Sequence, residues 1–173
     1  MTPRNFRFLL VGLAAALFFG GWLAWWTSPT QVAKRFLTKV TNTATVLSED
    51  SPLSRRMRAP KLSSLLANPF EISMGNAISG KFDQEELLTG YLSIALGASY
   101  FEPRFTAVRL ILNTEDSIQI SAQLDVESDY PDASFPISES VEVTIRKIED
   151  LLILSEIHLP DFEPSETISR ELG

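Results

Sequence analysis

Alternating apolar and polar residues mark the last third of the chain as a β-meander. Four segments show the alternation, residues 104–113, 117–128, 140–148 and 151–159, and acidic turns separate them. A period of two is typical of strands that bury one face of a sheet. The pattern therefore predicts three long strands and a shorter last one, paired antiparallel.

Apolar residues at helical spacing predict two helices in the first half of the chain. The first begins after Ser28, which can cap it, and runs to about Leu47. Its apolar face carries Val32, Phe36 and Val40. The second begins at Ser51-Pro52, and we expect Pro60 to interrupt it because a proline removes a backbone donor inside a helix.

A short hairpin and a third helix follow. Residues 69–74 and 77–82 read as two strands joined by a turn at Gly75-Asn76. Asp83 then precedes Glu86 by three residues, which is the spacing of a capping box. The apolar stripe of this helix carries Leu87, Leu88, Tyr91, Leu92, Ala95 and Leu96.

The segment before these elements predicts a transmembrane helix. Residues 8–26 contain no charged or strongly polar side chain, and nineteen helical residues rise about 28 Å, close to the hydrocarbon thickness of a bilayer. A cleaved signal peptide is the alternative, but it ends in small residues. Here Trp22, Trp25 and Trp26 end the segment and Pro29 follows shortly, which favours an uncleaved anchor with an aromatic belt at the membrane interface.

Basic residues on both sides of this segment set the expected orientation. Arg4 and Arg7 precede it, and Lys34, Arg35 and Lys39 follow it at a greater distance. The nearer flank favours residues 1–7 in the cytoplasm and the domain at 27–159 outside it. Lys34, Arg35 and Lys39 then form a solvated face near the lipid headgroups.

Small residues recur every fourth position within the predicted anchor. Gly12, Ala16 and Gly20 fall on one helical face. Such a stripe lets two helices approach closely, so self-association through the anchor is a hypothesis. Small residues are also common in membrane spans without any pairing role.

Composition excludes several classes of function. The chain carries 15 basic and 22 acidic residues for a net charge of −7, so nucleic acid is not expected as a partner. It has no cysteine and one histidine, His158, which argues against disulfides, thiolate chemistry and clustered metal ligands. We expect no metal and no cofactor. Residues 160–173 are acidic, with two prolines, and predict a disordered tail.

One dense basic cluster lies in the second helix. Arg55, Arg56 and Arg58 fall within four residues. A solvated helix surface is the first interpretation of such a cluster. A binding site for an anionic partner is the alternative.

The order of these elements resembles the nuclear transport factor 2-like superfamily. The similarity rests on ISGKF-DQEELLTGYL, residues 78–92, and on VEVTIRKIEDLLIL, residues 141–154, which is similar to the closing hairpin of the family. Glu149-Asp150 forms that turn here without glycine, and Leu152 stands where the family has an aromatic residue. The resemblance implies an α+β cone in which three helices close the concave face of a curved, mainly antiparallel sheet.

Strand parity predicts which side chains enter the cone. A two- or four-residue turn near Thr114-Glu115 would place Arg109 on the face of Ile118. An even turn at Glu149-Asp150, as in the family hairpin, would add Glu156 and His158, whereas an odd turn would point them away.

Together with Tyr91 of the third helix, the even register predicts a small-ligand site. The structural alternative is an Arg109–Glu156 ion pair with His158 half exposed at the strand end. Either register makes the last strand apolar on both faces, so a second copy or another envelope protein should cover the convex face.

The sequence therefore predicts a single-pass, extracytoplasmic interaction or scaffold domain of an envelope assembly, without enzymatic activity. A small-ligand-binding or hydro-lyase/isomerase-like domain using the cone interior is the alternative.

Overall fold

The computed structural model describes residues 18–74, 78–131, 136–149 and 151–160. Residues 18–26 are helical. The helices that follow are α1 (Pro29–Ala44), α2 (Pro52–Ser63) and α3 (Gln84–Gly97). The strands are β1 (Leu66–Met74), β2 (Ile78–Phe82), β3 (Phe101–Asn113), β4 (Ser117–Ser128), β5 (Ile137–Ile148) and β6 (Leu151–Leu159).

The six strands form one sheet in the order β2-β1-β6-β5-β4-β3. All neighbours pair antiparallel except β1 and β6, which run parallel. The helices pack against one face, so the predicted α+β cone and the antiparallel meander are confirmed.

The core lies between the helices and one face of the sheet, which we call the inner face. Ile118 and Ile120 of β4 and Val141, Val143 and Ile145 of β5 are at most 1% exposed on this face. Leu37 of α1 is equally buried against them. Each such side chain contributes roughly 1.5–3 kcal/mol through removal from water. The opposite face of the sheet is called the outer face below.

Some predicted boundaries are wrong by a few residues. α1 ends at Ala44 rather than near Leu47, because Val46 instead pairs through its backbone with Phe101 at the start of β3. α2 continues through Pro60 to Ser63, and the buried residues Ala59 and Leu62 on either side offset the lost backbone hydrogen bond.

The capping box at Asp83 is confirmed. The Asp83 carboxylate accepts from the Glu86 amide at 2.8 Å, and Glu86 accepts in turn from the Asp83 amide at 2.9 Å.

A bulge in β3 overturns the predicted placement of Arg109. From the β3–β4 turn, Asn113 pairs with Ile118 and Leu112 with Gln119, but Leu110 pairs with Ile120, so Ile111 is an extra residue in β3. One extra residue in a strand reverses the side-chain alternation beyond it. Val108 therefore enters the core, and Arg109 lies on the outer face instead of inside the cone.

A second bulge, in β6, moves Glu156 and His158. The even hairpin register is confirmed as far as Leu154, which pairs with Ile145 on the inner face. Thr144 then pairs with Glu156, because Ser155 is the extra residue and its hydroxyl donates to the Thr144 carbonyl at 3.0 Å. Glu156 and His158 consequently lie on the outer face, which is less apolar along β6 than predicted.

The Arg55 side chain is part of the interior, so the prediction of a solvated surface is wrong for it. Its guanidinium is buried and donates five hydrogen bonds at 2.6–3.2 Å. The acceptors are the backbone carbonyls of Leu47, Asp50, Ala95, Ala98 and Ser99. These carbonyls belong to the α1–α2 link and to the end of α3, where a helix leaves carbonyl groups without partners.

The neighbouring arginines differ from Arg55 and from each other. Arg58 forms an ion pair with Asp50 at 2.7 Å and donates to the Thr45 carbonyl. The Leu47 amide, together with the Arg58 guanidinium, holds the pKa of Asp50 below its usual value. Arg56 is exposed and fits the predicted solvated surface.

Within the described residues, no helix has the length and apolar character needed to cross a membrane. Residues 8–17 of the predicted anchor, including Gly12 and Ala16, lie outside the described residues, as do residues 161–173 of the predicted tail. Gly20 lies in the described helical turns, and a Cβ added there would meet nothing within 4 Å.

We expect Arg55→Met to destabilise the domain by about 3 kcal/mol or more, because five backbone carbonyls lose a donor and the contacts to Ala95 and Ala98 are buried. Arg56→Met, one residue away and exposed, should change the free energy of unfolding by less than about 0.5 kcal/mol. Urea unfolding of the full chain in detergent, followed by circular dichroism, measures both variants. Equal stability of the two would show that the Arg55 contacts contribute little.

Candidate functional site

Apolar side chains fill most of the cone interior. Inner-face residues of β4 and β5 form one continuous cluster with α1, α2 and α3. Tyr91 of α3 joins this cluster at 8% exposure, and its hydroxyl has no hydrogen-bond partner among the described residues. Burial raises the pKa of Tyr91 above its ordinary value of 10.0. Among the described residues, the interior thus offers one hydroxyl without a partner rather than the predicted set of polar side chains.

The outer face holds a polar cleft of about 400 Å³, which we call the outer-face cleft. It is lined chiefly by Ser73, Gln119, Glu142, Thr144, Glu156 and His158. Ser73 Oγ lies 2.7 Å from His158 Nδ1, and Thr144 Oγ1 donates to Glu156 Oε2 at 3.4 Å. The sheet therefore brings Glu156 and His158 together, as predicted, but on the face opposite to the predicted one.

Strand register explains why these side chains meet. Ser73, His158 and Glu142 form one row across β1, β6 and β5. Residues directly opposite each other on one face of a sheet have neighbouring side chains. The parallel pairing of β1 with β6 supplies Ser73, and the sequence pattern gave no signal for that contact.

The cleft can accept hydrogen bonds and bind a cationic or polar group, since Glu142 and Glu156 both border it. In the described part of the chain His158 forms no ion pair with a carboxylate, so no third group orients the imidazole toward Ser73. No described group of three or more His, Asp or Glu side chains is arranged to hold a metal ion.

Arg109 and Tyr91 do not join this cleft. Arg109 lies on β3 and borders a separate depression with Lys34 and Thr38 of α1. No ion pair between Arg109 and Glu156 occurs among the described residues. The four predicted ligand-binding residues therefore divide among three places: the outer-face cleft, the edge near β3, and the core.

A second candidate surface precedes α1. Residues 18–26 are all exposed, and their large apolar side chains are 44–72% exposed. Trp22 and Trp26 stack with ring centroids 5.8 Å apart, and Trp25 lies 6.4 Å from Trp26. Arg35 places its guanidinium 4.3 Å from the centroid of the Trp26 ring and donates to the Trp26 carbonyl at 2.9 Å.

The contact between Arg35 and Trp26 was not predicted. Sequence analysis placed Arg35 on a solvated face because it lies off the apolar stripe of α1. A guanidinium over an indole is attracted by the ring quadrupole, which is worth about 0.5–2 kcal/mol. Hydrophobic periodicity carries no information about this pairing.

No family model matches the sequence, and no curated protein matches it either. Solved structures do match in fold. A candidate scytalone dehydratase from Novosphingobium aromaticivorans has a TM-score of 0.56 at 8% identity over 73% of this chain and 79% of its own. A candidate dehydratase of the nuclear transport factor 2-like family from Streptomyces avermitilis has 0.52 at 16% identity over 75% and 92%.

A third similar structure is a nuclear transport factor 2-like protein from Cytophaga hutchinsonii. Its TM-score is 0.51 at 10% identity, over 73% of this chain and 88% of its own. The fold is therefore nuclear transport factor 2-like, as the sequence resemblance implied. Identities this low establish the fold alone, because one fold hosts many unrelated functions.

We expect Tyr91→Phe to raise the free energy of unfolding by about 1 kcal/mol, because it removes a buried hydroxyl that lacks a partner. Because the pKa of Tyr91 is raised, the free energy of unfolding should also depend on pH. The folded state holds the Tyr91 proton more tightly, so the wild-type chain loses stability as pH rises above 10.0 toward the higher folded-state pKa. The phenylalanine variant should not show this part of the loss.

Tyr100→Phe is the matched control, since Tyr100 is 42% exposed and should change stability by less than about 0.5 kcal/mol. Urea titrations of the full chain at pH 7 and above pH 10 measure all three proteins. Destabilisation by Tyr91→Phe at pH 7 would show instead that the hydroxyl has a partner, such as a bound ligand.

Proposed function

We propose that the chain is a single-pass membrane-anchored interaction domain of an envelope assembly, with no enzymatic activity of its own. The observation that carries the proposal is the exposed aromatic helix at residues 18–26. Contiguous exposed apolar surface of this kind marks a membrane or protein contact. A bilayer fits best, because residues 8–26 form one uninterrupted apolar segment of spanning length.

Tryptophan at the end of that segment supports the same proposal. Trp22, Trp25 and Trp26 present amphipathic rings where the chain leaves the apolar stretch, and such rings favour the membrane–water interface. Arg4 and Arg7 lie close to the other end. This distribution supports a cytoplasmic amino terminus and an extracytoplasmic domain, with the anchor uncleaved.

The side chains that fill the cone favour an interaction role over catalysis. The inner face packs against aliphatic side chains of the helices, so polar side chains there are few. The outer face is open and polar, with Ser121, Glu142, Thr144 and Glu156 spread across its strands. A second copy of the domain or another envelope protein would bind this outer face.

A ligand-binding or hydro-lyase-type domain is the second candidate. Two similar structures are candidate dehydratases, and Tyr91 holds a buried hydroxyl without a partner among the described residues. Such an enzyme needs a proton donor or acceptor beside its substrate. The predicted partners of Tyr91, namely Arg109, Glu156 and His158, lie elsewhere, which weakens this candidate.

Cysteine labelling tests the anchor and its orientation, since the chain has no cysteine of its own. We expect Ser79→Cys, exposed on β2, to react with a membrane-impermeant maleimide in spheroplasts. Thr2→Cys should react only after lysis, because the anchor keeps it in the cytoplasm. The opposite labelling would reverse the orientation, and release of the chain from membranes by alkaline washing would overturn the anchor.

The outer face is tested by association of the full chain in detergent. We expect Thr144→Arg to weaken self-association or partner binding by about tenfold or more, because it places a bulky charge at the centre of the interface. Glu85→Arg on α3, exposed and on the helical side of the sheet rather than its outer face, should have no such effect. Light scattering and native mass spectrometry measure the assembly.

The same mass spectra separate the two candidate functions. A small organic molecule that co-purifies with the wild-type chain and is lost from Tyr91→Phe would favour the ligand-binding candidate. A monomer at all concentrations, with no partner that Thr144→Arg displaces, would contradict the interaction role.

A further inference from the structure

A groove of about 530 Å³ opens between the first turns of α1, the end of α2 and the start of β6. We call it the anchor-proximal groove. Phe36 and Leu65, each 6% exposed, form its apolar floor with Leu152. Leu151 stands at the mouth with 64% of its surface exposed. This volume and apolar lining are typical of sites for small organic ligands.

The rim of the groove is basic. Arg35 and Lys39 line it, and none of its lining residues is acidic, although the chain has a net charge of −7. Both side chains are exposed, so their charged groups can reach a ligand at the mouth. An apolar floor below two cations is complementary to an amphiphile with an anionic head.

The groove also lies next to the exposed aromatic helix. Arg35 contacts Trp26 directly through its guanidinium. Lys39 is ten residues beyond Pro29, or about 15 Å along α1. If Trp26 marks the interface, the groove is within reach of the headgroup layer of the same bilayer.

We infer that the anchor-proximal groove binds an anionic phospholipid of the membrane that holds the anchor. One acyl chain lies over Phe36 and Leu65, and the phosphate binds Arg35 and Lys39. This inference rests on the proposed membrane anchoring and adds a ligand class to it. Bound lipid would cover Leu151 and Leu152, which the fold alone leaves partly open to water.

The test uses the full chain with Ser64→Cys, a position in the groove lining, labelled with an environment-sensitive fluorophore. The labelled protein is reconstituted into vesicles of phosphatidylcholine alone or with phosphatidylglycerol. We expect the emission to shift to the blue only when phosphatidylglycerol is present. Arg35→Gln with Lys39→Gln should raise the phosphatidylglycerol needed by about tenfold or more, since each basic residue contributes to the attraction.

Two further variants complete the design. Arg56→Gln removes an exposed arginine outside the groove and should leave the response unchanged. Lys39→Gln alone keeps the contact between Arg35 and Trp26, so a partial loss in this variant separates lipid binding from disturbance of that contact. Equal thermal unfolding of the variants excludes loss of the fold as the cause.

The outcomes distinguish this inference from the proposed function. A chain that floats with neither vesicle overturns the anchor. If the chain floats with both kinds of vesicle, but the emission of its label does not change with phosphatidylglycerol, the groove inference alone is overturned. Loss of the blue shift on adding inorganic phosphate at the same concentration as phosphatidylglycerol would also overturn it, because a simple anion site would then explain the response.

Discussion

One buried guanidinium connects the helical layer of this domain. Arg55 reaches the link between α1 and α2 and the carboxyl end of α3, and all five of its contacts are to backbone carbonyls. The contacts to Ala95 and Ala98 are buried, and a buried carbonyl left without a donor is costly. The Arg55 contacts therefore stabilise the arrangement of helices in which these chain ends meet. The adjacent pair of Arg58 and Asp50 strengthens the same junction.

Two bulges, each of one residue, determine which side chains lie on the outer face of the sheet. The bulges at Ile111 and Ser155, each counted from the turn of its hairpin, reverse the alternation of the strand beyond them. They turn Arg109, Glu156 and His158 outward and turn Val108 and Ile157 toward the core. A chain without these bulges would place charged groups among aliphatic side chains. The polar outer face and the apolar interior are thus products of the same two positions.

The sequence predicted the elements well because hydrophobic spacing reports burial directly. β4 and β6 have the predicted limits, and the capping box starts α3 where Asp83 indicated. The site was predicted less well for two physical reasons. A bulge has no periodic signature, so parity counted from a turn fails beyond it.

Contacts between segments distant in the sequence were not predicted either. The parallel pairing that brings Ser73 to His158 and the reach of Arg55 to Ala95 join residues far apart in the sequence. The arginine cluster illustrates the limit most clearly, because three similar side chains proved to be buried, half-buried and exposed.

The contact between Arg35 and Trp26 restricts how the domain can move relative to residues 18–26. In the proposed anchored state, a flexible linker would let the domain rotate freely about the membrane normal. Here only Thr27 and Ser28 separate the aromatic helix from α1, and the guanidinium bridges across them. This link is short and held by the Arg35 contact, so a tilt of the proposed anchor would tilt the sheet as well. The partner proposed for the outer face would then find it at a fixed height above the membrane and in a fixed orientation.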